Sequence, residues 1–394
     1  MKKAVVIGGS NGIGLSIVNA LIKKGYNVNI LDIVEPDINL ICDMQQYAYE
    51  HCNLLDFDEI LLEKYANDPK LEVLMRTAGF GRVTEFEHLH IAEIENIIKL
   101  NTAAGIKAIR IFYNRIKNND PFYCGMMGSI AGLVNSPLFS VYAASKAAIC
   151  RFIESVNVEL EMAGVSNRIL NVSPGSIKGT KFNGGENDLN LTNELAEEIL
   201  SHMFGSNELF IPDYESIYKS VIERNAKDAH SFGVESYKYK KDSGRVVSQA
   251  KVCIGYLSGT FDLFHVGHLN LLRRAKEQCD YLIVGVHPDA SHKGKETFIP
   301  YEERKAIVGG IKYVDKVVQS CREDHEAWEK WHYTKLFVGS DYKGTERFVR
   351  YEEYFKDKNV EIVYFPYTQG TSSTQIRKTV LLKTKDIEME KHNE

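Results

Sequence analysis

The sequence predicts two α/β domains in tandem, each built on a doubly wound parallel sheet with helices on both faces. A buried-type strand, a glycine-containing turn and an amphipathic helix occur in that order twice, in residues 4–25 and 251–277. After each of these units, short apolar runs alternate with helical patterns, which is typical of a Rossmann-like domain. No internal repeat relates the two halves, so we expect two separate domains.

The later strands follow from the apolar runs in chain order. In the first domain the runs are VNILDIV, EVLMRTAG, YCGMMGSIAG and RILNVSPGS, and in the second they are YLIVGVH, KVVQS, KLFVGSD and VEIVYFP. Residues 237–251 are polar and Lys-rich without apolar periodicity, which predicts a linker. We therefore place the domains at 1–240 and 250–382, with a charged tail at 383–394.

The composition limits the class of partner. The chain has 394 residues, 44% of them hydrophobic and 26% charged, with a net charge of −5. This balance gives no overall attraction for nucleic acid or for an anionic membrane, and no apolar stretch approaches the roughly 20 residues that span a bilayer. The seven cysteines contain no CxxC pair and fit a reducing cytoplasm. We expect small-molecule substrates and a homo-oligomer, a dimer or a tetramer.

The first glycine-containing turn predicts a dinucleotide site. Gly8, Gly12 and Gly14 lie between a strand and a helix, where backbone amides can approach a pyrophosphate. The alternative is a tight strand-to-helix turn that binds nothing. Asp32 ends the second strand, where its carboxylate would bind ribose hydroxyls and repel a 2′-phosphate. It favours NAD(H), with NADP(H) possible.

Three side chains predict carbonyl reduction. Tyr142 and Lys146 are four residues apart in a helical pattern and so share one face. A nearby ammonium would lower the pKa of the phenol, so we expect Tyr142 to exchange a proton near neutral pH. Ser129, after a strand, could hold the carbonyl oxygen, although a serine there is often only a turn residue.

Residues 1 to about 235 resemble the short-chain dehydrogenase/reductase family through the glycine motif, Ser129, Tyr142, Lys146 and the SPG segment at 173–175. The resemblance implies that Asn101 assists a proton relay and that Thr180 lies near the nicotinamide. The usual NNAG is RTAG here, with Arg76 and Thr77. The cofactor site that the resemblance implies comprises Gly8, Ser10, Asn11, Gly12, Ile13, Gly14, Asp32, Asn53, Ala78, Gly79, Tyr142, Lys146, Pro174, Gly175, Ile177 and Thr180.

The second turn predicts a phosphate site. His265 and His268 lie in GTFDLFHVGH at the start of a helix, where amides, the helix dipole and two imidazoles would stabilise charge on an α-phosphate. A zinc site would need a third ligand, and no HExxH motif or cysteine cluster supplies one. We therefore predict no protein-bound metal ion.

Residues 252 to about 380 resemble the glycerol-3-phosphate cytidylyltransferase family, in the larger HxGH nucleotidyltransferase group. The shared motifs are GTFDLFHVGH, HKGKE, YEERK, VGSDYKG and TQGTSSTQIRK; Tyr367 stands where the family often has arginine. The implied nucleotide site comprises Gly259, Thr260, Phe261, His265, His268, Lys293, Lys295, Arg304, Asp341, Thr371, Ser372, Ser373 and Thr374. We expect Mg²⁺ to accompany the triphosphate, held mainly by phosphates and water.

Together the resemblances imply consecutive reactions. A sugar or ketose phosphate would be reduced to a polyol phosphate with NAD(P)H and then coupled to CMP from CTP, giving a CDP-polyol for surface polysaccharide. Two alternatives stay open at this point. The transferase could use another phosphorylated acceptor or ATP, or the first domain could be a non-catalytic dinucleotide sensor.

Overall fold

The computed structural model describes residues 2–180, 182, 186–246, 253–289, 296–366 and 376. The chain divides into two compact units, Met1–Ala250 and Lys251–Glu394. Each contains one parallel sheet with helices packed against it, so the predicted fold class is confirmed. No helix among the described residues is long and apolar enough to cross a membrane.

The first unit has a seven-stranded sheet in the order β3-β2-β1-β4-β5-β6-β7, and every pair of neighbours is parallel. Its strands are β1 Lys3–Ile7, β2 Asn27–Asp32, β3 Tyr47–His51, β4 Leu71–Arg76, β5 Tyr123–Met127, β6 Ile169–Val172 and β7 Leu209–Phe210. Its helices are α1 Gly12–Lys23, α2 Glu59–Ala66, α3 Ile91–Ile98, α4 Ala104–Ile116, α5 Ser140–Met162, α6 Asn193–Phe204, α7 Lys219–Lys227 and α8 Ala229–Asp242.

Two apolar layers hold this sheet, one on each face. The central strands β1, β4 and β6 are almost entirely buried, which explains why they appear in the sequence as continuous apolar runs rather than as alternating patterns. One layer packs α4 and α5 against the sheet, and the other packs α1 and α6. The sheet that carries the predicted site residues at its carboxyl edge is therefore covered on both faces.

The second unit has a five-stranded parallel sheet in the order β10-β9-β8-β11-β12. Its strands are β8 Ile254–Gly259, β9 Tyr281–Val286, β10 Lys316–Gln319, β11 Lys335–Gly339 and β12 Glu361–Phe365. Its helices are α9 Val266–Lys276, α10 Tyr301–Gly309, α11 Asp324–Trp331 and α12 Glu346–Phe355. Apolar clusters again cover both faces.

Helix α8 occupies the start of the segment that the sequence analysis expects to be a linker. Its last six residues, 237–242, belong to that segment. Gly233 is the one buried residue of this helix, so α8 has no apolar stripe from which periodicity could predict it. The charged tail at 383–394 lies outside the described residues.

Candidate active sites

In the first unit the predicted cofactor residues gather at one edge of the sheet. The strand order changes direction between β1 and β4, and the chain leaves these neighbours through the glycine turn and through Thr77–Gly79. Ligands of doubly wound sheets bind in the crevice that such a reversal creates. The fold therefore brings the glycine motif and the RTAG segment together.

The glycines of this turn are required by close backbone packing. Gly8 has a φ of +90°, and a Cβ there would lie 2.4 Å from the amide nitrogen of Ala78. A Cβ on Gly14 would lie 2.1 Å from the carbonyl oxygen of Gly8. The tight turn alone thus explains two glycines. The Ser10 hydroxyl is buried here and has no hydrogen-bond partner among the described residues, which fits a site for a polar ligand.

The start of α1 suits an anion. Its first turn contains no acidic residue, and Asn11 at the N-cap makes no capping bond to the backbone with its side chain. The Gly12 amide instead donates to the side-chain oxygen of Asn187 at 3.0 Å, and the Asn187 amide group donates to Asn11 at 2.9 Å. Sequence reasoning missed Asn187, because the contact joins positions 175 residues apart.

Asp32 lies where the sequence predicts it, at the end of β2. One carboxylate oxygen accepts from the amide of Ser10 at 3.0 Å and the other from the amide of Ile33 at 2.7 Å. These two bonds fix the carboxylate beside the glycine turn. Contact with a ribose hydroxyl, and with it the preference for NAD(H), stays a prediction.

The residues predicted to act in carbonyl reduction lie together, on α5 and in the segment that follows β5. Tyr142 and Lys146 are buried on one face of α5, and the Lys146 ammonium lies 5.6 Å from the centre of the Tyr142 ring. That ammonium donates to the carbonyl oxygen of Met127 at 2.7 Å. Ser129 is buried and also interacts with the Tyr142 hydroxyl. The structure therefore assembles the whole predicted set.

The electrostatics differ from the expectation of an acidic phenol. Burial raises the pKa of Tyr142 to about 12, against a smaller lowering by the Ser129 hydroxyl. Burial also lowers the pKa of Lys146 to about 7, and the charge of Arg76 adds to this lowering. Desolvation is thus the largest cause of both pKa shifts. The phenol of Tyr142 is therefore protonated at neutral pH, as reduction of a carbonyl would require of a proton donor.

Asn101 is held rigidly beside these residues. It lies in a π-helical turn, Lys99–Ala103, between α3 and α4, and is fully buried. Its side chain donates to the carbonyl of Phe80 at 2.8 Å and to the Ser145 hydroxyl at 3.0 Å. A Cβ on Gly79 would lie 3.0 Å from its side-chain oxygen and 3.4 Å from the Lys146 nitrogen. Asn101 therefore adjoins the predicted proton relay.

Arg76, which the family pattern does not contain, is buried under this site. Its guanidinium donates to the carbonyl of Leu100, while two of its nitrogens have no partner among the described residues. Burial lowers its pKa to about 10. An unpaired buried charge is destabilising.

Five more of the predicted cofactor residues lie in three places. Pro174 accepts from the Ser129 hydroxyl at 3.5 Å, and Thr180 packs against Gly12, so the segment after β6 borders the turn. Ile13 and Ile177 pack at the edge of the apolar core. Asn53 is exposed, and its side chain caps the short helical turn Leu54–Asp56, so contact with adenine stays a prediction.

The second unit repeats this arrangement between β8 and β11, where its strand order reverses. The segment after β8 carries Thr260 to His268, and Asp341 follows β11 and is exposed. Phe261 and Leu263 both have positive φ, 52° and 51°, which is strained for residues other than glycine. This tight loop delivers His265 to the start of α9.

The two histidines form the N-terminal cap of α9. The Nδ1 of His265 accepts from the Gly267 amide at 3.0 Å, and the Nδ1 of His268 accepts from the His265 amide at 3.4 Å. Their rings stack at 4.0 Å. Because Nδ1 is the acceptor in each ring, Nε2 carries the proton in the neutral form. The first turn contains no acidic residue, so the cap suits an anion.

Arg304 is placed differently from the phosphate contact that the resemblance implies. It is fully buried, and its guanidinium donates to the carbonyl oxygens of Thr260, His287, Pro288 and Ile299. It thus positions the loop after β8. Asp262, also buried, accepts from the amides of residues 298 and 299 and holds the same loop.

Several predicted nucleotide residues lie outside the described residues: Lys293, Lys295, Thr371, Ser372, Ser373 and Thr374. Among the residues that the structure does describe, no group of three or more His, Cys, Asp or Glu side chains could hold a metal ion. Mg²⁺ therefore stays a prediction.

Comparison with known proteins separates the two units. The family model for short chain dehydrogenases matches residues 2–190, and the cytidylyltransferase-like model matches residues 256–379. The glycerol-3-phosphate cytidylyltransferase of Staphylococcus aureus is 37% identical over 123 residues, which cover 30% of this chain and 88% of that protein. The enzyme of Bacillus subtilis is 38% identical, over 31% of this chain and 92% of that protein.

Relatives of the first unit are more distant. The uncharacterized oxidoreductase TDA5 of Saccharomyces cerevisiae is 32% identical over 46% of this chain, and the match spans 56% of that protein. Among solved structures, a short-chain dehydrogenase from Sphingobium yanoikuyae in complex with NADPH is 20% identical, with a TM-score of 0.48. It covers 58% of this chain and 93% of that one.

Proposed function

Because the chain belongs to the short-chain dehydrogenases through its first unit and to the cytidylyltransferases through its second, we propose that it catalyses two consecutive reactions. The first reduces a sugar or ketose phosphate to a polyol phosphate. The second transfers CMP from CTP to that phosphate and releases pyrophosphate. The observation that carries the proposal is the assembly of Ser129, Tyr142 and Lys146 on a chain that also bears the two capping histidines.

The reduction needs one hydride and one proton. When bound, the reduced nicotinamide supplies the hydride to the carbonyl carbon. Ser129 holds the carbonyl oxygen, and Tyr142 gives its phenolic proton to that oxygen as the alcohol forms. Lys146 then stabilises the phenolate that the transfer leaves, and the relay through Asn101 restores its proton. The raised pKa of Tyr142 supports this direction, because the phenol is protonated before the reaction.

The transfer needs positioning and charge stabilisation more than a base. A phosphate oxygen of the acceptor attacks the α-phosphorus of CTP in line, the bond between the α- and β-phosphates breaks, and pyrophosphate leaves. His265 and His268 stabilise the charge that grows on the α-phosphate, together with the amides at the start of α9. Mg²⁺ accompanies the triphosphate. We also propose NADH as the preferred reductant and surface polysaccharide as the destination of the product.

Two variants test whether the sites are separate. Tyr142→Phe should abolish NADH oxidation and leave CTP-dependent pyrophosphate release intact. His268→Ala should lower CMP transfer by about 100- to 1,000-fold, as loss of one preorganised donor does, while NADH oxidation continues. Loss of both reactions in either folded variant would contradict independent sites.

A substrate screen tests the sequence of reactions. Ketose and aldose phosphates are incubated with NADH and CTP, and CDP-linked polyols are detected by mass. We expect a product two hydrogens heavier than the CDP derivative of the unreduced sugar phosphate. A parallel incubation with ATP tests the adenylyl alternative. NADH oxidation without any CDP-linked product from the reduced compound would refute the proposed order.

A further inference from the structure

The end of helix α8 carries two cations that reach the loops of the reductive site. The Lys240 ammonium donates to the Ser136 hydroxyl at 2.7 Å and to the carbonyl of Pro137 at 2.8 Å. Arg245, just beyond the helix, donates to the Ser176 hydroxyl at 3.4 Å. The final part of the first unit thus contacts two loops that leave neighbouring strands, β5 and β6.

Both loops carry groups of the catalytic site. Three residues after Ser136, the ring of Phe139 stacks on Tyr142 with 4.1 Å between ring centres. Two residues before Ser176, the carbonyl of Pro174 accepts from the catalytic Ser129. The two cations therefore bind the loops whose neighbouring residues, Phe139 and Pro174, contact Tyr142 and Ser129.

Neither cation is neutralised by a carboxylate in the described part of the chain. The described residues place no Asp or Glu within ion-pair distance of Lys240 or Arg245, whereas the adjacent Lys241 pairs with Glu85. Burial, with a smaller contribution from the Arg245 charge, lowers the pKa of Lys240 to about 8, so most of it is still charged at neutral pH. A partly buried cation without an anion is costly to keep unless a ligand compensates it.

Attraction to the carboxyl end of α8 does not account for Lys240. Cations in the last turn of a helix are stabilised by the helix dipole and by its free carbonyl groups. The hydrogen bonds of Lys240 to described residues go instead to Ser136 and Pro137, which belong to a different segment. The side chain is therefore directed toward the loop that follows β5.

We propose that Lys240 and Arg245, with the hydroxyls of Ser136 and Ser176, bind the phosphate group of a phosphorylated carbonyl substrate. Two cations match a phosphate dianion in charge, and the hydroxyls supply further donors. This inference rests on the proposed function and specifies it, because it identifies the part of the first unit that selects phosphorylated over plain sugars. Lys240 and Arg245 are specificity residues and take no part in the chemistry.

Kinetics on the full chain test the site. For each ketose phosphate that the enzyme reduces, kcat/KM is compared with that of the same ketose without phosphate. Lys240→Gln and Arg245→Gln should each lower the ratio of the two by about 10- to 100-fold, the usual range for a bond to a charged group. Lys241→Gln is the matched control, because its charge is already neutralised by Glu85, and it should leave the ratio unchanged.

The outcomes separate the two proposals. If wild type reduces ketose phosphates but both Gln variants keep the ratio within twofold, the phosphate site is refuted and the proposed function stands. An equal loss in Lys241→Gln would assign the effect to anchoring of α8 and also refute the site. If wild type reduces plain ketones at least as well as their phosphates, the proposed substrate class fails together with this inference.

A binding test needs no substrate. Surface amines are acetylated with acetic anhydride in two solutions of equal ionic strength, one containing inorganic phosphate and the other sodium chloride. The modification of each lysine is then measured by mass spectrometry. Phosphate should protect Lys240 and leave Lys241 as reactive as in chloride. Equal modification of Lys240 in both salts at saturating phosphate would overturn the proposal.

Discussion

Lys146→Met should stabilise the first unit more at pH 7 than at pH 9. In the folded protein burial lowers the pKa of this lysine from 10.5 to about 7. Over this interval the unfolded chain keeps the proton and the folded chain loses it. Stability of the wild type therefore rises with pH by about 1.4 kcal/mol per unit, or about 2 kcal/mol in total, while the variant lacks this dependence.

The two units can be followed separately in one sample. Both tryptophans of the sequence, Trp328 and Trp331, lie on α11, so tryptophan fluorescence reports the second unit alone. Unfolding of the first unit in urea is measured by hydrogen exchange in peptides of β5 and α5. Fluorescence midpoints should be the same in wild type and variant at each pH.

A control and a refuting result complete this test. Lys107, exposed on α4, is replaced by Met in a parallel variant, and its stability should follow that of wild type at every pH. Contributions to the free energy of unfolding that do not change with pH, such as the lost bond to the carbonyl of Met127, cancel when the two pH values are compared. A stability difference between Lys146→Met and wild type that is the same at pH 7 and pH 9 would show that Lys146 does not titrate in this range.

Three further outcomes are expected. Wild type should have a higher kcat/KM with NADH than with NADPH. Asp32→Ser should reduce that preference by about tenfold or more, because a carboxylate facing a 2′-phosphate costs several kcal/mol. A wild-type preference for NADPH would contradict this prediction. Arg76→Met should raise the free energy of unfolding of the first unit by about 1–4 kcal/mol, because it removes a buried unpaired charge. A lower stability of this variant in urea would show that the charge of the Arg76 guanidinium is balanced in the folded protein. Arg304→Met should destabilise the second unit by about 2 kcal/mol or more, because four carbonyl groups lose their hydrogen-bond donor. An unchanged midpoint of urea unfolding, followed by tryptophan fluorescence, would refute a stabilising role of Arg304.

Short-range patterns predicted most of the two sites. The glycine turn, the four-residue spacing of Tyr142 and Lys146, and the histidine pair are local in sequence, and a parallel sheet delivers each of them to its carboxyl edge. Both sheets and their main strands follow from continuous apolar runs, because central parallel strands are buried on both faces. Two strands at the edges of the first sheet do not follow from such runs: β3 is only partly buried and has the sequence YAYEH, and β7 has only two residues.

Contacts between residues far apart in the chain could not be predicted from sequence patterns. Asn187 reaches the Gly12 amide from a loop with no pattern of its own, and Lys240 reaches Ser136 across 104 positions. The sign of the shift at Tyr142 was wrong because spacing shows the neighbouring ammonium but not the depth of burial. The bonds of Arg304 were also beyond the sequence: a motif identifies the residue, whereas the carbonyl groups around it come from three other segments, and its contact with a phosphate stays a prediction.

The caps on α9 make the two histidines hard to replace during evolution. Each imidazole uses one nitrogen to hold the helix start, so a substitution that removes the ring also removes a cap, typically worth about 1 kcal/mol. Protonation would remove the cap at His265, because a protonated Nδ1 can no longer accept from the backbone, and burial lowers the pKa of this imidazole and so opposes protonation. Substitution of His265 or His268 would therefore impair both the proposed chemistry and the folding of the loop that carries the two histidines. Asparagine, a good N-cap without an imidazole, is the substitution that would separate these two pressures.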